Sequence, residues 1–449
     1  MNKNRKYIII LVLAAFIFPF AKGYSQEKQE SRSVLLSLQE AVAAAFRNNK
    51  DIRIQEEENK ISQAKIQEAQ SKFLPQVNLG AGYTHSGSVL QLSTIKSTKK
   101  DIGIFSGYKN DNNLNISVDE SVYNGGADIA NFKQSELGLR VSQETLRVKK
   151  LDVEFETKRL YYGLLLAYEA ERIAQELFDQ AQAHYEDVKN KFGQGTVSKF
   201  DLLQSKVQVS KIMPELVRAK NAVDLIAADL KKMLGFKMRD SLALKDKLLY
   251  SLIEINEEEF LKQAYLNRPE MNLKALGIDI QKWAIQMAKS GWRPQISAEG
   301  GYSYRSNNLG NMFNNRHSNW NAGFSVSIPL FDGFSTKAKV DQAASRYAQA
   351  KLEKEDLGEQ IAVDIRQACL DLKQAEAIIN SSKDNIEEAR EALRIAGVSF
   401  DNGEGTNLDV LDAQISLSQI ENNFSEGVYD YLMAKAFLDR TMAGSQEGK

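Results

Sequence analysis

The sequence predicts a mixed, mainly α-helical fold in which very long helices alternate with short β-strands, and three observations support this. Two stretches, 126–192 and 334–400, contain no proline, and about 65 residues at about 1.5 Å each would give roughly 100 Å of helix. Four short segments alternate apolar and polar residues, as half-buried strands do. The same motifs occur twice in the same order, which predicts an internal two-fold repeat.

The first 25 residues have the features of a secretory signal peptide. A basic segment, 3–6, precedes the apolar run 7–20, and the small residues Gly23 and Ser25 occupy the −3 and −1 positions of a cleavage site. The apolar run of about 14 residues is shorter than the roughly 20 that a membrane-spanning helix needs, so an uncleaved signal anchor is the weaker alternative. We therefore predict that residues 1–25 are removed and that the mature chain is secreted.

Composition argues against nucleic-acid binding and excludes a disulfide framework. Removing the signal peptide takes four of the 58 basic residues and none of the 59 acidic ones, and a mildly acidic secreted chain has no electrostatic attraction for nucleic acid. Cys369 is the only cysteine, so no disulfide framework can form within the chain. Its place in an apolar helical pattern predicts a small buried side chain.

Three pairs of matching segments carry the internal repeat. They are 71–77 with 290–296, 122–125 with 330–333, and 192–206 with 400–414. The first pair is offset by 219 residues and the other two by 208, so a single deletion of 11 residues explains the change. Each copy is predicted to contain a helix, two strands, a very long helix, a glycine turn and a returning helix. We place the first copy at 34–236, a charged and irregular linker at 237–254, and the second copy at 255–442.

The four alternating segments predict strands of about 9–11 residues with one apolar face and one small, polar face. The apolar positions are Val77, Leu79, Ala81 and Tyr83; Leu114, Ile116 and Val118; Ile296, Ala298, Gly300, Tyr302 and Tyr304; Trp320, Ala322, Phe324, Val326, Ile328 and Leu330. Hairpins on a soluble domain are one interpretation, but the length fits a tilted transmembrane strand. Aromatic residues toward the strand ends suit a membrane girdle, namely Tyr83, Tyr302, Tyr304 and Trp320. Four strands cannot close a barrel, since the smallest membrane barrels have about 8, so closure needs other subunits.

Both long stretches carry apolar residues every seven positions. In the first, one series is Leu139, Leu146, Val153 and Leu160, and the other is Val141, Val148, Phe155 and Tyr162. In the second, the main series is Ile365, Leu372, Ile379, Ile386, Leu393 and Phe400, with a weaker opposite series at Val363, Leu370 and Ala377. A seven-residue period implies left-handed coiling. Stripes on opposite edges mean that each helix needs neighbours on both sides.

The sequence offers little for catalysis. The three histidines, His85, His184 and His317, are far apart and never at metal-ligand spacing. We expect His85 and His317 in strand-connecting loops and His184 on the first long helix, all in surface or packing roles. No nucleophile elbow, phosphate-binding loop or CxxC motif is present. We therefore predict no enzyme activity, no metal site and no cofactor.

Several paired motifs together resemble the outer-membrane efflux protein family, the TolC-like outer-membrane factors, across nearly the whole mature chain. The motifs are strand entries at Pro75 and Pro294, strand-to-helix turns at Asn124-Gly125 and Asp332-Gly333, and tip motifs that begin at Phe192 and Phe400. The resemblance implies a homotrimer with a 12-stranded membrane β-barrel and a periplasmic α-barrel. The implied partners are a periplasmic adaptor (membrane fusion protein), an inner-membrane transporter and outer-membrane lipid.

The resemblance implies a passive conduit for a tripartite efflux or type I secretion system, located in the outer membrane and extending into the periplasm. The alternative is a periplasmic coiled-coil structural or adaptor protein. An adaptor would be expected to carry one helical hairpin between soluble β-domains, rather than two pairs of strands with apolar faces.

The same resemblance assigns roles at the two glycine turns. The adaptor-docking tips would be Gly195 and Ser198 in the first copy and Gly403 and Thr406 in the second. Some family members tie the closed tip with an Arg and a Tyr, but this chain has Gly405 and Phe400 at those positions. We therefore predict that apolar packing of Phe400, with Phe192, closes the tip instead.

Two acids follow the second turn. Asp409 and Asp412 stand three positions apart, so they share one face of a helix. They match the paired aspartates that ring the periplasmic entrance in the family, where rings of acids select cations. The first copy has Asp201 and Gln204 at these positions. The alternative is that Asp409 serves only to cap the returning helix.

Overall fold

The computed structural model describes most of the chain. The described residues are 33–87, 92–97, 100–104, 110–314 and 318–444. The predicted signal peptide and His317 lie outside these ranges.

The described residues form eight α-helices. They are α1 (Leu38–Asn48), α2 (Lys50–Gln70), α3 (Ala127–Gly193), α4 (Lys199–Leu234), α5 (Glu257–Asn267), α6 (Pro269–Lys289), α7 (Ser335–Asp401) and α8 (Asn407–Met442). The first four and the last four have the same lengths in the same order, 11, 21, 67 and 36 residues. The fold is mainly helical with a few strands, as predicted. None of the helices in the described ranges is both long enough and apolar enough to cross a membrane.

The long helices bury the predicted seven-residue series. Val153 and Leu160 of α3 are 3% and 8% exposed, and Ile365, Leu372 and Ile379 of α7 are fully buried. The opposite series on α7 is different, because Val363 and Leu370 are more than half exposed in the single chain. Cys369 is buried as predicted and has no disulfide partner.

The described residues also form eight β-strands. They are β1 (Ser33–Leu36), β2 (Gln76–His85), β3 (Leu92–Ser97), β4 (Lys100–Ile104), β5 (Asn110–Asn124), β6 (Ser241–Leu244), β7 (Gln295–Ser306) and β8 (Ser318–Ser327). The order β2-β5-β7-β8 forms one antiparallel sheet, β3 pairs with β4, and β1 pairs with β6.

The register of the four-stranded sheet separates apolar from polar residues. One row across all four strands is Leu79, Ile116, Tyr302 and Trp320. The adjacent row is Gly80, Asn115, Ser303 and Asn319. Because directly paired residues project to the same face, the first row lies on an apolar face and the second on a polar one.

Two predicted strand boundaries were wrong. The fourth segment was expected to continue to Leu330, but β8 ends at Ser327, because Pro329 has no N–H to continue the ladder. The second strand is longer than expected and runs from Asn110 to Asn124, with an irregularity between Ser121 and Tyr123. The predicted apolar alternation covered only its central part.

The linker 237–254 is not irregular throughout. Its residues 241–244 form β6, which pairs in parallel with β1 near the start of the described chain. Farther on, Leu248 and Ile253 pack against the buried cores of the helices. Two strands of four residues each, about 200 positions apart, are too short to give a periodic pattern that the sequence could show.

The strand-to-helix turns are fixed by short polar contacts. Asn124 Oδ1 accepts a hydrogen bond from Asp128 N at 3.1 Å, and Asp332 Oδ2 accepts one from Thr336 N at 2.7 Å. Gly125 has φ +69°, and a Cβ there would lie 2.5 Å from Ser290 O. These turns join the sheet to α3 and α7, so the opposite ends of both long helices form a separate region, the hairpin tips.

Candidate functional site at the hairpin tips

Each long helix ends in a tight turn into its returning helix. The turn between α3 and α4 contains Gly195, and the turn between α7 and α8 contains Gly403. Their φ angles are +79° and +75°, a left-handed conformation that other residues adopt only with strain. The two glycines that were predicted as docking positions therefore also have a local structural role.

Matching capping boxes begin both returning helices. Ser198 Oγ accepts from Asp201 N at 3.2 Å, and Asp201 Oδ2 accepts from Ser198 N at 3.1 Å. In the second turn, Thr406 Oγ1 accepts from Asp409 N at 3.2 Å, and Asp409 Oδ2 accepts from Thr406 N at 2.8 Å. These reciprocal bonds satisfy two N–H groups that a helix start would otherwise leave without partners.

The two acids after the second turn differ in their contacts, because only Asp409 belongs to the capping box. Asp409 is part of the capping box, and hydrogen bonds from the Thr406 hydroxyl and then from its backbone N–H hold the Asp409 pKa below its ordinary value. Asp412 lies one turn farther along α8, and both side chains are exposed. Capping therefore accounts for Asp409 but not for Asp412.

Asn407, which the sequence analysis did not single out, joins the two hairpins. Its side chain is 2% exposed. Nδ2 donates to Gln204 Oε1 at 3.0 Å, while Oδ1 accepts from Ser205 Oγ at 3.0 Å and lies 2.8 Å from His184 Nε2. Because this amide orientation leaves Oδ1 facing the imidazole, His184 Nε2 is the donor in that contact. The start of α8 is thus inserted between α3 and α4.

Phe400 forms the apolar part of the same joint. It is 8% exposed and packs with Val188 and Val410. The His184 ring lies edge-on at 5.2 Å between centroids, and Lys191 Nζ is 4.5 Å from the centroid of the Phe400 ring. Phe400 is therefore enclosed by α3 and α8 as well as by its own helix.

An ion pair borders this apolar contact. Lys191 Nζ lies 2.6 Å from Asp401 Oδ1 and 3.0 Å from Asp187 Oδ2. Burial lowers the pKa of Lys191, but hydrogen bonds to Asp401 and Asp187 outweigh it and raise the pKa above its ordinary value. We call Asn407, Phe400, Lys191 and their partners the tip joint.

The structure brings together only some of the predicted tip residues. Phe400 is enclosed, whereas Phe192 is 39% exposed and takes no part in the tip joint. Gly405 lies against the end of α7, where a Cβ would be 3.0 Å from Ser399 Cβ. The sequence does contain a sign that Asn407 is special. It stands where the first copy has Lys199, so the two copies differ at this position.

The predicted aromatic girdle lies at the other end of the molecule. Tyr83, Tyr302, Tyr304 and Trp320 all fall in the part of the sheet farthest from the strand-to-helix turns. Tyr83 and Trp320 are 64% and 72% exposed. The four predicted girdle positions therefore lie together in one part of the sheet, and their role in a membrane girdle stays a prediction.

The histidines have ordinary surroundings. His85 is the last residue of β2 rather than part of a loop, with Nδ1 2.7 Å from Asn110 Oδ1. Within the described ranges, no cluster of three or more His, Cys, Asp or Glu side chains could hold a metal ion.

A sheet with one apolar face, joined to paired helices of 67 residues, is the architecture of an outer-membrane channel whose helices extend into the periplasm. The sequence matches the family described as "Outer membrane efflux protein" over residues 41–236 and 260–444. The chain therefore belongs to the outer membrane efflux protein family, whose members are channels rather than enzymes, and it is an outer-membrane efflux or secretion channel.

Individual relatives are distant in sequence but similar over most of their length. The outer membrane protein TolC of Vibrio cholerae is 23% identical over 375 residues, which is 82% of each chain. TolC of Escherichia coli K12 is 21% identical over 430 residues, 93% of this chain and 84% of the relative. The solved CmeC outer membrane channel of Campylobacter jejuni has a TM-score of 0.77 at 19% identity, covering 95% of this chain and 91% of that one.

Proposed function

We propose that three copies of this chain form a passive conduit that crosses the outer membrane and continues through the periplasm. The observation that carries this proposal is the four-stranded sheet with one apolar face and two open edges, β2 and β8. Hydrocarbon does not tolerate unpaired backbone groups, so each open edge needs a partner strand. Three copies would supply twelve strands, with the apolar face toward lipid and the polar face toward a water-filled lumen.

The helices have open edges as well. Within one chain α3 packs against α4 and against α8, and α7 packs against α8. Among the described residues this leaves the outer sides of α4 and α7 without a neighbour, and both carry exposed apolar residues. Exposed apolar residues on α4 include Leu203, Val207 and Leu225, and those on α7 include Val363 and Leu370. We propose that α4 of one copy packs against α7 of the next.

Native mass spectrometry in detergent tests this assembly. The wild type should be a trimer. Val207→Lys combined with Leu203→Lys should weaken the trimer, because two charges would enter the proposed interface. Glu215→Lys is the matched control, since it also adds positive charge to α4, about 80° round the helix from Val207. A stable wild-type monomer in the membrane fraction would contradict the proposal.

We propose that the two copies of the internal repeat, 34–236 and 255–442, supply equivalent parts of the wall. The equal helix lengths in the two halves support this. The hairpin tips would then dock to a periplasmic adaptor that couples the conduit to an inner-membrane transporter. Two relatives are named for protease secretion and one for cation efflux, which supports a conduit role without favouring one kind of cargo.

Docking is tested by adding bulk at the tips. In a strain that lacks its own copy, Gly195→Trp and Gly403→Trp should reach the outer membrane as trimers yet fail to restore efflux. Gly195→Ala controls for the strain of a side chain at positive φ without the bulk of an indole. Normal efflux by both tryptophan variants would refute docking through Gly195, Ser198, Gly403 and Thr406.

A further inference from the structure

The turn that follows β5 packs against the segment that precedes β7. A Cβ on Gly125 would lie 2.5 Å from Ser290 O and 3.0 Å from Arg293 Cβ, and a Cβ on Gly126 would lie 3.2 Å from Arg293 Nη1. Arg293 Nη1 also donates a hydrogen bond to Gly125 O at 3.1 Å. We call these four residues the turn contact. It joins the two copies of the repeat beside the start of α3.

The repeat offsets identify a second set of residues that could make the same contact. Shifting the four residues by 208 and 219 positions gives Gly333 and Phe334 on one side, and Ser71 and Leu74 on the other. Within one chain these two sides flank opposite edges of the four-stranded sheet, β8 and β2. They can therefore meet only between two chains.

The single chain leaves both sides of this second contact uncovered. Gly333 has φ +66°, as Gly125 has +69°, yet no atom of the described residues lies within 4 Å of the place that its Cβ would take. Phe334 and Leu74 are 68% and 62% exposed. Phe334 meets the ring of Phe331 in its own turn, edge-on at 5.4 Å between centroids, which leaves most of the residue exposed.

The backbone of Phe334 is also strained. Its φ angle is +67°, and a residue with a side chain adopts this left-handed conformation only at a cost. The first copy of the repeat avoids the cost, because it has Gly126 at this position. Native structures keep such strain where the surroundings hold the residue in place. The exposed surroundings of Phe334 in one chain do not do so.

The residues that differ between the two contacts are complementary. Within the chain Gly126 leaves space that the guanidinium of Arg293 occupies. At the second contact Phe334 would fill this space, and its counterpart Leu74 is shorter and apolar. Two exposed apolar side chains that face each other gain stability when water is excluded from between them.

We propose that Phe334 of one chain packs against Leu74 of the next chain, so that an apolar contact takes the place of the arginine bond. This inference rests on the proposed trimer and names the partner of the exposed turn, a second copy of this chain. Protein rather than lipid is the expected occupant, because Ser290 and Arg293 occupy the same place within the chain. The strands would then share the register of β5 with β7, in which Val118 pairs with Gly300.

Cysteine cross-linking in outer membranes tests the contact on the full chain. Phe334→Cys with Leu74→Cys, in a Cys369→Ala background, should give covalent dimers and trimers with a short bismaleimide, whereas each single variant should run as a monomer in SDS. Gly126→Cys with Arg293→Cys is the matched control. The same reagent should join this pair within one chain, so the product should remain a monomer.

Two results would overturn the proposal while leaving the proposed function intact. One is a trimer by native mass spectrometry whose cysteines at positions 334 and 74 do not cross-link. The other is labelling of Phe334→Cys in the trimer by a lipid-soluble maleimide, which would mean that lipid covers Phe334. A wild type that forms no trimer would instead refute the proposed function, and this contact with it.

A charge exchange gives an independent test that needs no cross-linking. Leu74→Arg should reduce the fraction of trimer that survives heating in detergent, because a charge would face the Phe334 ring. Adding Phe334→Gly should restore part of the loss, since the new guanidinium could then donate to Gly333 O as Arg293 does to Gly125 O. Residues in contact show such non-additive effects, so losses that simply add would overturn the proposal. Helix content by circular dichroism should not change, because Leu74 is exposed in the single chain.

Discussion

The two hairpin tips have the same local structure and different surroundings. Both have a glycine at positive φ and a capping box of the same geometry. Yet Phe192 is 39% exposed at the first tip, while its counterpart Phe400 is 8% exposed at the second. The turn is therefore encoded separately in each copy of the repeat, whereas the polar contacts between the two hairpins come from positions at which the copies differ.

Three polar residues of the tip joint stand at positions where the two copies differ. Asn407 replaces Lys199 of the first copy, Asp401 replaces Gly193, and His184 has Ala392 as its counterpart. Each substitution adds a group that contacts the other hairpin. One hairpin receives and the other inserts, so the two copies of the repeat contribute differently to the tip joint.

The largest effect is expected from the aromatic pair. Phe400→Ala should destabilise the tip joint by about 3–5 kcal/mol, the usual range for deleting a buried phenylalanine, and raise single-channel conductance in planar bilayers. Phe192→Ala removes the same atoms from an exposed position and should leave conductance near that of the wild type. Equal conductance changes for both variants would show that the asymmetry has no role in closure.

The next effect concerns the polar part of the tip joint. Asn407→Leu would remove the partner of the half-buried Gln204 and His184, while Ser205 keeps its bond to Asp201 O. Losing partners in this way costs about 1–3 kcal/mol. We expect more frequent openings in single-channel records. Lys199→Leu, at the equivalent exposed position of the first copy, is the control. An unchanged open probability for Asn407→Leu would rule out Asn407 as a positioning residue.

A smaller effect is expected from the ion pair. Lys191→Met keeps most of the aliphatic chain but removes the bonds to Asp401 and Asp187, and partly exposed pairs of this kind contribute about 0.2–1 kcal/mol. Because salt screens such pairs, raising the ionic strength should increase the open probability of the wild type more than that of the variant. Parallel salt curves would show that the pair does not hold the tip.

The parts that the sequence predicted are those that a periodic pattern specifies. Seven-residue spacing was enough to predict that Ile365 and Leu372 are buried, and alternation was enough for the faces of the sheet. The tip joint depends on how far one hairpin is shifted along the other. A heptad pattern is the same at every shift of seven residues, so it cannot fix that shift. The pairing of β1 with β6 escaped prediction because four residues give too short a pattern.

The smallest structural effect, and the most specific functional one, is expected from the acids after the second turn. The low pKa of Asp409 means that its charged form is favoured in the folded state. The cap therefore stabilises the fold above the ordinary aspartate pKa, and this contribution is lost as pH falls below that value.

Asp409→Asn keeps an oxygen that can accept from Thr406 N, so the helix start should survive. With Asp412→Asn added, a trimer would lose six carboxylates from the tip. We expect the double variant to lose cation preference, measured as a reversal potential closer to zero in a salt gradient, and to resist block by multivalent cations.

The first copy supplies the control, because Asp201 has the same capping bonds but Gln204 in place of a second acid. Asp201→Asn should therefore change the reversal potential less than the double variant does. A reversal potential equal to that of the wild type in the double variant would leave Asp409 as a helix cap and remove Asp412 from the site.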